Sequence, residues 1–372
     1  MVMARVLVNM PSQYCGKPSG VSRVAFALLE RLIAIGGHDY ILRSNWTRRS
    51  LPSALSESRL DVLEVPRPNI VIADVVRQFL SVPDICRDRN VDIVWNVDLF
   101  GAARGGRARV TTVHDLYFYT VPELVGRRAA VTMGLCARLV LGGSDLVVTI
   151  SEATRTDLVK CFPSTASRIS IIGNDSTLPF NANAVHSHPR EIESEYVLIV
   201  GNATPNKNFQ VVVEALGRLA RTGFRPLLVH VGRDDSGVLA AACAGMVSPP
   251  SYLSIADVDD VRLAALYENA LCLVAPSLSE GFCLPVVEAQ AAGCPVIAAS
   301  ASVLPEVAGN GALFFEPLNC ESLAARIVEL FSTPLLRAKL IDRGVANRAR
   351  FSWDRSAERY AEIFEKLSDT NG

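Results

Sequence analysis

The chain has 372 residues, 49% of them hydrophobic, with 37 Lys and Arg against 38 Asp and Glu. That length suggests roughly two domains with substantial cores, and a net charge of −1 excludes a whole-protein binder of nucleic acid or another polyanion. The balance hides an asymmetry, +6 over residues 1–190 and −7 over 191–372, which fits either a basic first half lying on an anionic membrane or a chance distribution of solvated charges.

In chain order, an apolar run over the first ten residues contains a strand at Arg5–Asn9 and is too short for a secretory core. Gly16-Lys17-Pro18-Ser19-Gly20-Val21-Ser22-Arg23 then opens a helix at Val21–Ala34. Its glycines would let the backbone approach a ligand and its free N–H groups favour phosphate, although an ordinary strand-to-helix turn reads the same way. Further strands are expected near Asp39–Leu42, Asp92–Asn96, Arg109–Val113 and Leu146–Ile150, with a helix over Ala129–Leu141. His114 and Asp115 follow the strand Arg109–Val113. Arg104, Arg107, Arg109, Arg127 and Arg128 form either a membrane-facing basic patch or a solvated cluster. The Asn-, Ser-, Pro- and His-rich stretch Asn174–Ser194 reads as a linker, which sets domains at 1–175 and 195–350 with 176–194 between them.

In the second half, strands fall near Tyr196–Gly201, Leu227–Gly232, Leu271–Ala275 and Pro295–Ala298. Helices fall near Asn208–Arg221, Val261–Glu268, Leu284–Ala292 and Ser322–Phe331, and a last one covers about Ala357–Leu367. Strands alternating with helices in both halves predict two parallel-sheet α/β domains, whose ligand loops lie at the carboxyl ends of the strands. Asp257-Val258-Asp259-Asp260 superficially offers a metal site, but it precedes a helix and suits capping. Nine scattered cysteines with no CxxC pair indicate a reducing cytoplasm. No run of ~18 apolar residues would span a bilayer.

The densest signal is Pro276–Pro295, PSLSEGFCLPVVEAQAAGCP. Glu280 sits in the turn after a buried strand and Glu288 about one turn into the helix that Pro285 starts and Gly293 stops. The N–H groups of Phe282, Cys283 and Leu284 would point out of that helix start, where an anionic or hydroxyl-rich ligand is favoured. Lys207, in GNATPNKN after the strand Tyr196–Gly201, supplies a point charge suited to a diphosphate. The chain holds only five lysines against 32 arginines, which favours function over a solvated helix-start residue.

Glu280-Gly-Phe-Cys-Leu-Pro-Val-Val-Glu288 resembles the E-x7-E motif of retaining glycosyltransferases with the GT-B fold, in particular glycosyltransferase family 4. His114-Asp115-Leu116, Ser151-Glu152, Gly201…Lys207-Asn208, Leu304-Pro305-Glu306-Val307 and Phe351-Ser352-Trp353 continue the resemblance in the same order. It implies two Rossmann-like domains facing across a cleft, with residues 351–372 crossing back to the first. It implies that His114 lies beside the donor sugar, Lys207 meets the leaving diphosphate, Glu280 holds sugar hydroxyls and Glu288 holds the ribose. Gly20 would be the close-approach residue of the first domain, and Gly281, Phe282, Cys283 and Leu284 would line the donor. Two departures stand out: Asn202 where the family often has arginine, with Arg233 as a possible substitute, and Cys283 where it often has glycine.

The resemblance implies a retaining, metal-independent transferase with no cofactor, moving a hexose from a nucleotide-sugar to a saccharide or polyprenyl-linked saccharide. GDP-mannose is the first-choice donor, and the expected setting is the cytoplasm or the inner face of the cytoplasmic membrane, in bacterial surface polysaccharide or lipopolysaccharide synthesis. A nucleotide-sugar epimerase of the same fold, or a non-catalytic partner or scaffold, are the alternatives.

Overall fold

A computed structural model describes residues 3–10, 19–65, 71–178 and 190–369. Gly16, Lys17 and Pro18 of the glycine-rich turn, and most of the expected linker, lie outside the described residues. The chain divides into two compact units, Met1–Asn174 with Ser352–Gly372, and Asp175–Phe351.

The first unit is built on a seven-stranded parallel sheet of order β3-β2-β1-β4-β5-β6-β7. The strands are β1 Arg5–Asn9, β2 Asp39–Ser44, β3 Asp61–Glu64, β4 Ile93–Asn96, β5 Ala108–Val113, β6 Leu146–Thr149 and β7 Ile169–Ile171. Central strands are buried on both faces, so they read as unbroken apolar runs rather than alternating ones: Val6, Leu7 and Val8 are all inaccessible. The helix Trp353–Asp369 belongs to this unit and contacts the helix Gly20–Ile35. Its buried side is Trp353, Ser356, Ala357, Tyr360 and Phe364, at helical spacing. The Tyr360 ring packs 4.9 Å from Trp95 of β4, and its hydroxyl is 2.8 Å from Thr112 Oγ1 of β5.

The second unit carries a six-stranded parallel sheet of order β10-β9-β8-β11-β12-β13. Its strands are β8 Tyr196–Val200, β9 Leu227–Val231, β10 Tyr252–Ile255, β11 Cys272–Ala275, β12 Val296–Ala299 and β13 Ala312–Phe315. Sequence reading misses β3, β7, β10 and β13, which are the four sheet edges. An edge strand is short and partly solvated, so DVLE or YLSI shows no apolar run. The helix Val71–Asp88 is missed as well, because Pro83 inside it reads as a breaker.

In both sheets the direction of strand addition reverses once, between β1 and β4 and between β8 and β11. At such a switch point neighbouring loops leave on opposite faces, opening a crevice beyond the carboxyl ends of the strands.

Candidate functional site

At the switch point of the second unit the backbone is drawn tight. Gly201 follows β8 at φ 126° and Gly232 follows β9 at φ 143°. A Cβ on Gly232 would collide with the Gly201 carbonyl, so the two turns touch only because Gly232 lacks a side chain. His230, wholly buried in β9, braces them: Nε2 lies 2.8 Å from the Gly201 carbonyl and Nδ1 2.8 Å from Ser254 Oγ. A carbonyl only accepts, so Nε2 carries the proton, and burial holds the ring below its usual pKa, hence neutral. His230 was not singled out from the sequence; its one signal is a lone histidine in the apolar strand LLVHV.

Asn202 stands where an arginine was sought, and its Oδ1 accepts from the Arg233 N–H at 3.1 Å while the Arg233 carbonyl accepts from Ala203 N at 2.8 Å. Asn202 therefore serves the turn as a brace, and Arg233 is exposed beside it.

Lys207 closes a short turn, Pro205–Lys207, and Asn208 follows in the left-handed region at φ 52°. Asn208 Nδ2 donates to the carbonyls of Pro276 at 3.2 Å and Pro317 at 2.7 Å, pinning the β8 turn to the β11 turn. Lys207 Nζ then donates to Glu280 Oε1 at 2.5 Å, with side chains 18% and 15% exposed. The same oxygen accepts from Ser277 Oγ at 2.8 Å, and Ser302 Oγ holds the Glu280 backbone. The lysine stem lies across Gly201, where a Cβ would sit 3.2 Å from its Cε.

Beyond Glu280 the chain buries Gly281, Phe282 and Cys283 and enters the helix Leu284–Ala291. Phe282 packs edge-on against Phe351 at 5.3 Å. Cys283 adopts φ 70°, a conformation glycine takes at far less cost, which would account for the glycine that the resemblance implies at this position. Its thiol is pushed up to about 12, mainly by burial and further by the charge of Glu280, so it stays protonated. The charges of Lys207, Glu280 and Glu288 all reach that sulfur, which draws the three into one neighbourhood. Glu288 is 5% exposed, and Tyr267 donates its hydroxyl to Oε2 at 2.7 Å. Burial, then the Glu288 charge, raises the Tyr267 pKa well above its usual value, so the hydroxyl keeps its proton. Tyr267 escapes sequence reading because it arrives from a different helix, Asp260–Asn269. That helix is capped by Asp259, whose Oδ1 accepts from Arg262 N at 2.7 Å.

His114 and Gly20 belong to the first unit. His114 Nε2 donates to the Val97 carbonyl at 2.9 Å. Burial lowers its pKa against the opposing pull of Asp98, leaving a neutral ring whose Nδ1 is the acceptor end. Asp115 Oδ1 accepts from Tyr117 N at 3.4 Å, an orienting contact. Gly20 begins its helix behind the Ser19 cap, and a Cβ there would meet nothing within 4 Å, so the protein's own packing does not require glycine.

Comparison with known proteins gives a consistent picture. Residues 18–174 match Glycosyltransferase Family 4, and residues 183–346 match Glycosyl transferases group 1. O-antigen chain mannosyltransferase B of Escherichia coli is 27% identical over 271 residues, 69% of this chain and 70% of that protein. O-antigen chain mannosyltransferase RfbU of Salmonella typhimurium is 25% identical over 61% of this chain and 62% of its own length. Among solved structures, WaaG, a glycosyltransferase involved in lipopolysaccharide biosynthesis, matches with TM-score 0.74 at 18% identity, over 97% of this chain and 99% of that one. Sucrose-phosphate synthase from Thermosynechococcus elongatus matches with TM-score 0.78 at 17% identity, over 99% and 100%. At such identities the structural likeness speaks for the fold alone. With two parallel-sheet α/β domains and both family matches in sequence order, the chain belongs to the GT-B glycosyltransferases, a family 4 domain followed by a group 1 domain.

Proposed function

We propose that the protein is a retaining, metal-independent hexosyltransferase. Its donor is a nucleoside-diphosphate sugar, GDP-mannose first among them, and its acceptor a saccharide or lipid-linked saccharide. The product is a bacterial surface polysaccharide, assembled at the inner face of the cytoplasmic membrane. The O-antigen mannosyltransferases among the relatives support the sugar and the setting.

The observation that carries the reading is the Lys207–Glu280 pair at the carboxyl ends of β8 and β11. When the anomeric C–O bond breaks, negative charge grows on the departing diphosphate and positive charge on the sugar ring. Lys207 answers the first, moving its ammonium from the Glu280 carboxylate to a phosphate oxygen, with the N–H groups at the start of Leu284–Ala291 beside it. Glu280, freed of its cation, takes sugar hydroxyls and faces the developing positive charge. Glu288, oriented by the Tyr267 hydroxyl, accepts from the ribose hydroxyls. His114 of the first unit stays neutral, which leaves Nδ1 suited to accept from a hydroxyl.

Transfer from GDP-mannose to an oligosaccharide acceptor, read by NMR of the new anomeric centre, tests this. An axial-to-axial outcome is expected, unaffected by EDTA, with Lys207→Ala and Glu280→Gln each losing about 10²–10³-fold or more in kcat while remaining folded. Full activity in both variants ends the reading. Inverted configuration removes retention, and EDTA inhibition reversed by a divalent metal removes metal independence.

A further inference from the structure

The helix Arg127–Gly143 of the first unit buries Ala137, Val140 and Leu141, with Met133 and Cys136 partly packed in the same core. An ordinary surface helix would be polar on its other side. This one exposes Val131 (65%), Leu135 (65%) and Leu139 (47%), spaced four apart, together with Arg127, Arg128 and Arg138. It contains no Asp or Glu. The adjoining helix Val71–Asp88 repeats the pattern with exposed Val76 (53%) and Leu80 (66%), again four apart.

Two open hollows flank the ridge. One, of about 620 Å³, is lined by Phe79, Ala103 and Arg104 on one side and Leu135, Arg138 and Leu139 on the other. The second, of about 410 Å³, is lined by Tyr119, Pro122, Val131, Leu135 and Arg138. Arg138 borders both, and the Arg104 guanidinium rests 5.0 Å from the Phe79 ring centroid. Each hollow thus has apolar walls and an arginine among its lining residues. The sequence cluster of arginines does not act as one body. Arg107 lies 3.6 Å from Asp92, and Arg109 holds Asp145 at 2.9 Å and the Gly143 carbonyl. Acids border this side without lying on the ridge helix: Glu123 precedes it, Asp145 follows it and pairs with Arg109, and Asp84 on the other helix pairs with Arg87, with Asp88 at that helix's end.

We infer that the outer sides of Arg127–Gly143 and Val71–Asp88 form a docking surface for an anionic phospholipid bilayer. The apolar ridge enters the boundary between headgroups and acyl chains, and Arg104, Arg127, Arg128 and Arg138 meet the phosphodiesters. A cation set with no acid on its own helix complements such a surface, whereas a protein partner would find few hydrogen-bonding groups on the ridge. The inference lies wholly within the first unit and does not depend on the chemistry proposed for the second.

Co-sedimentation of the full chain with vesicles tests it, using phosphatidylglycerol–phosphatidylethanolamine vesicles against phosphatidylcholine alone. The wild type pellets with the anionic vesicles, less so as salt rises, and poorly with phosphatidylcholine. Val131→Glu with Leu135→Glu lowers partitioning at least about ten-fold, and Arg128→Gln with Arg138→Gln lowers it about 20-fold. Thermal midpoints and nucleotide-sugar binding stay at wild-type values, which separates this result from any failure of the transferase reading. Wild-type protein that ignores anionic vesicles, or variants that pellet as well as wild type, overturn the inference. So does ultracentrifugation showing self-association that Val131→Glu/Leu135→Glu abolishes in a protein that binds no vesicle, since the ridge would then be covered by a second copy.

Discussion

The two sheets share a topology and differ in what fills their switch points. In the first unit, Asn9 at the end of β1 and Asn96 at the end of β4 are inaccessible and bonded to each other at 2.8 Å. Asn9 also donates to Gln78 Oε1 at 2.6 Å and accepts from Arg43 at 3.1 Å, while Asn96 serves the Ala102 carbonyl and Thr111 Oγ1. Every amide hydrogen of the two asparagines is used inside the protein. In the second unit the corresponding place holds a charged pair still partly open to solvent. Around it lie three of the four non-glycine residues with positive φ among the described residues, Asn208, Cys283 and Ser302. A buried network in which both asparagine amides spend all their hydrogens on the protein fixes a shape, whereas a charge pair on strained turns retains groups that can change partners. The same fold provides both places, and their exposure and charge decide which one is available for chemistry.

The sharpest way to break that contrast is to remove a member from each side. Lys207→Ala should cut transfer by about 10³-fold, roughly 4 kcal/mol of transition-state stabilisation, with little change in melting. Asn9→Ala should do the reverse, costing about 2–3 kcal/mol of stability by urea titration while the surviving folded protein binds nucleotide normally. If Asn9→Ala weakens nucleotide binding as strongly as Lys207→Ala, the division of labour is wrong. Tyr267→Phe removes one hydroxyl from Glu288 and should raise the donor KM about ten-fold, about 1.4 kcal/mol, with kcat nearly unchanged. A fall in kcat with KM constant would assign that carboxylate to the transition state instead.

Arg43 sharpens the first-unit side. Its guanidinium is inaccessible, with Nε and Nη2 lacking a hydrogen-bond partner among the described residues, and burial lowers its pKa. Arg43→Met should therefore change stability by only about 1 kcal/mol in either direction. A loss above about 3 kcal/mol would show the charge to be part of the network rather than tolerated by it.

The smallest effect is on pH. His38, His114 and His230 all have pKa values lowered by burial, so the unfolded chain binds protons that the native rings refuse. Their contribution is complete above about 6.5 and is lost as pH falls below it. Urea midpoints at about pH 7.5 and 5.5 should show lower stability at the acid end, and His230→Gln should reduce the difference.

Strand interiors were legible because burial on both faces writes itself as unbroken apolar runs, as in VLV of β1 and IVW of β4. The edges were not, since partial solvation erases the pattern. Lys207 and Glu280 each stood out by composition and position, but the bond between them spans 73 residues and is purely tertiary. Tyr267 was invisible for the same reason: nothing in DVRLAALYEN says which carboxylate its hydroxyl will reach. The left-handed backbone at Cys283 also hid behind a side chain that normally avoids it. The basic ridge was half legible, because sequence proximity grouped Arg107 and Arg109 with arginines whose company the fold denies them.

Calorimetric titration of GDP into wild type and Lys207→Ala tests the central claim most directly, because it isolates the diphosphate from sugar and acceptor. The account predicts one site per chain in the wild type and at least about ten-fold weaker binding in the variant. Equal affinity in both proteins would contradict it.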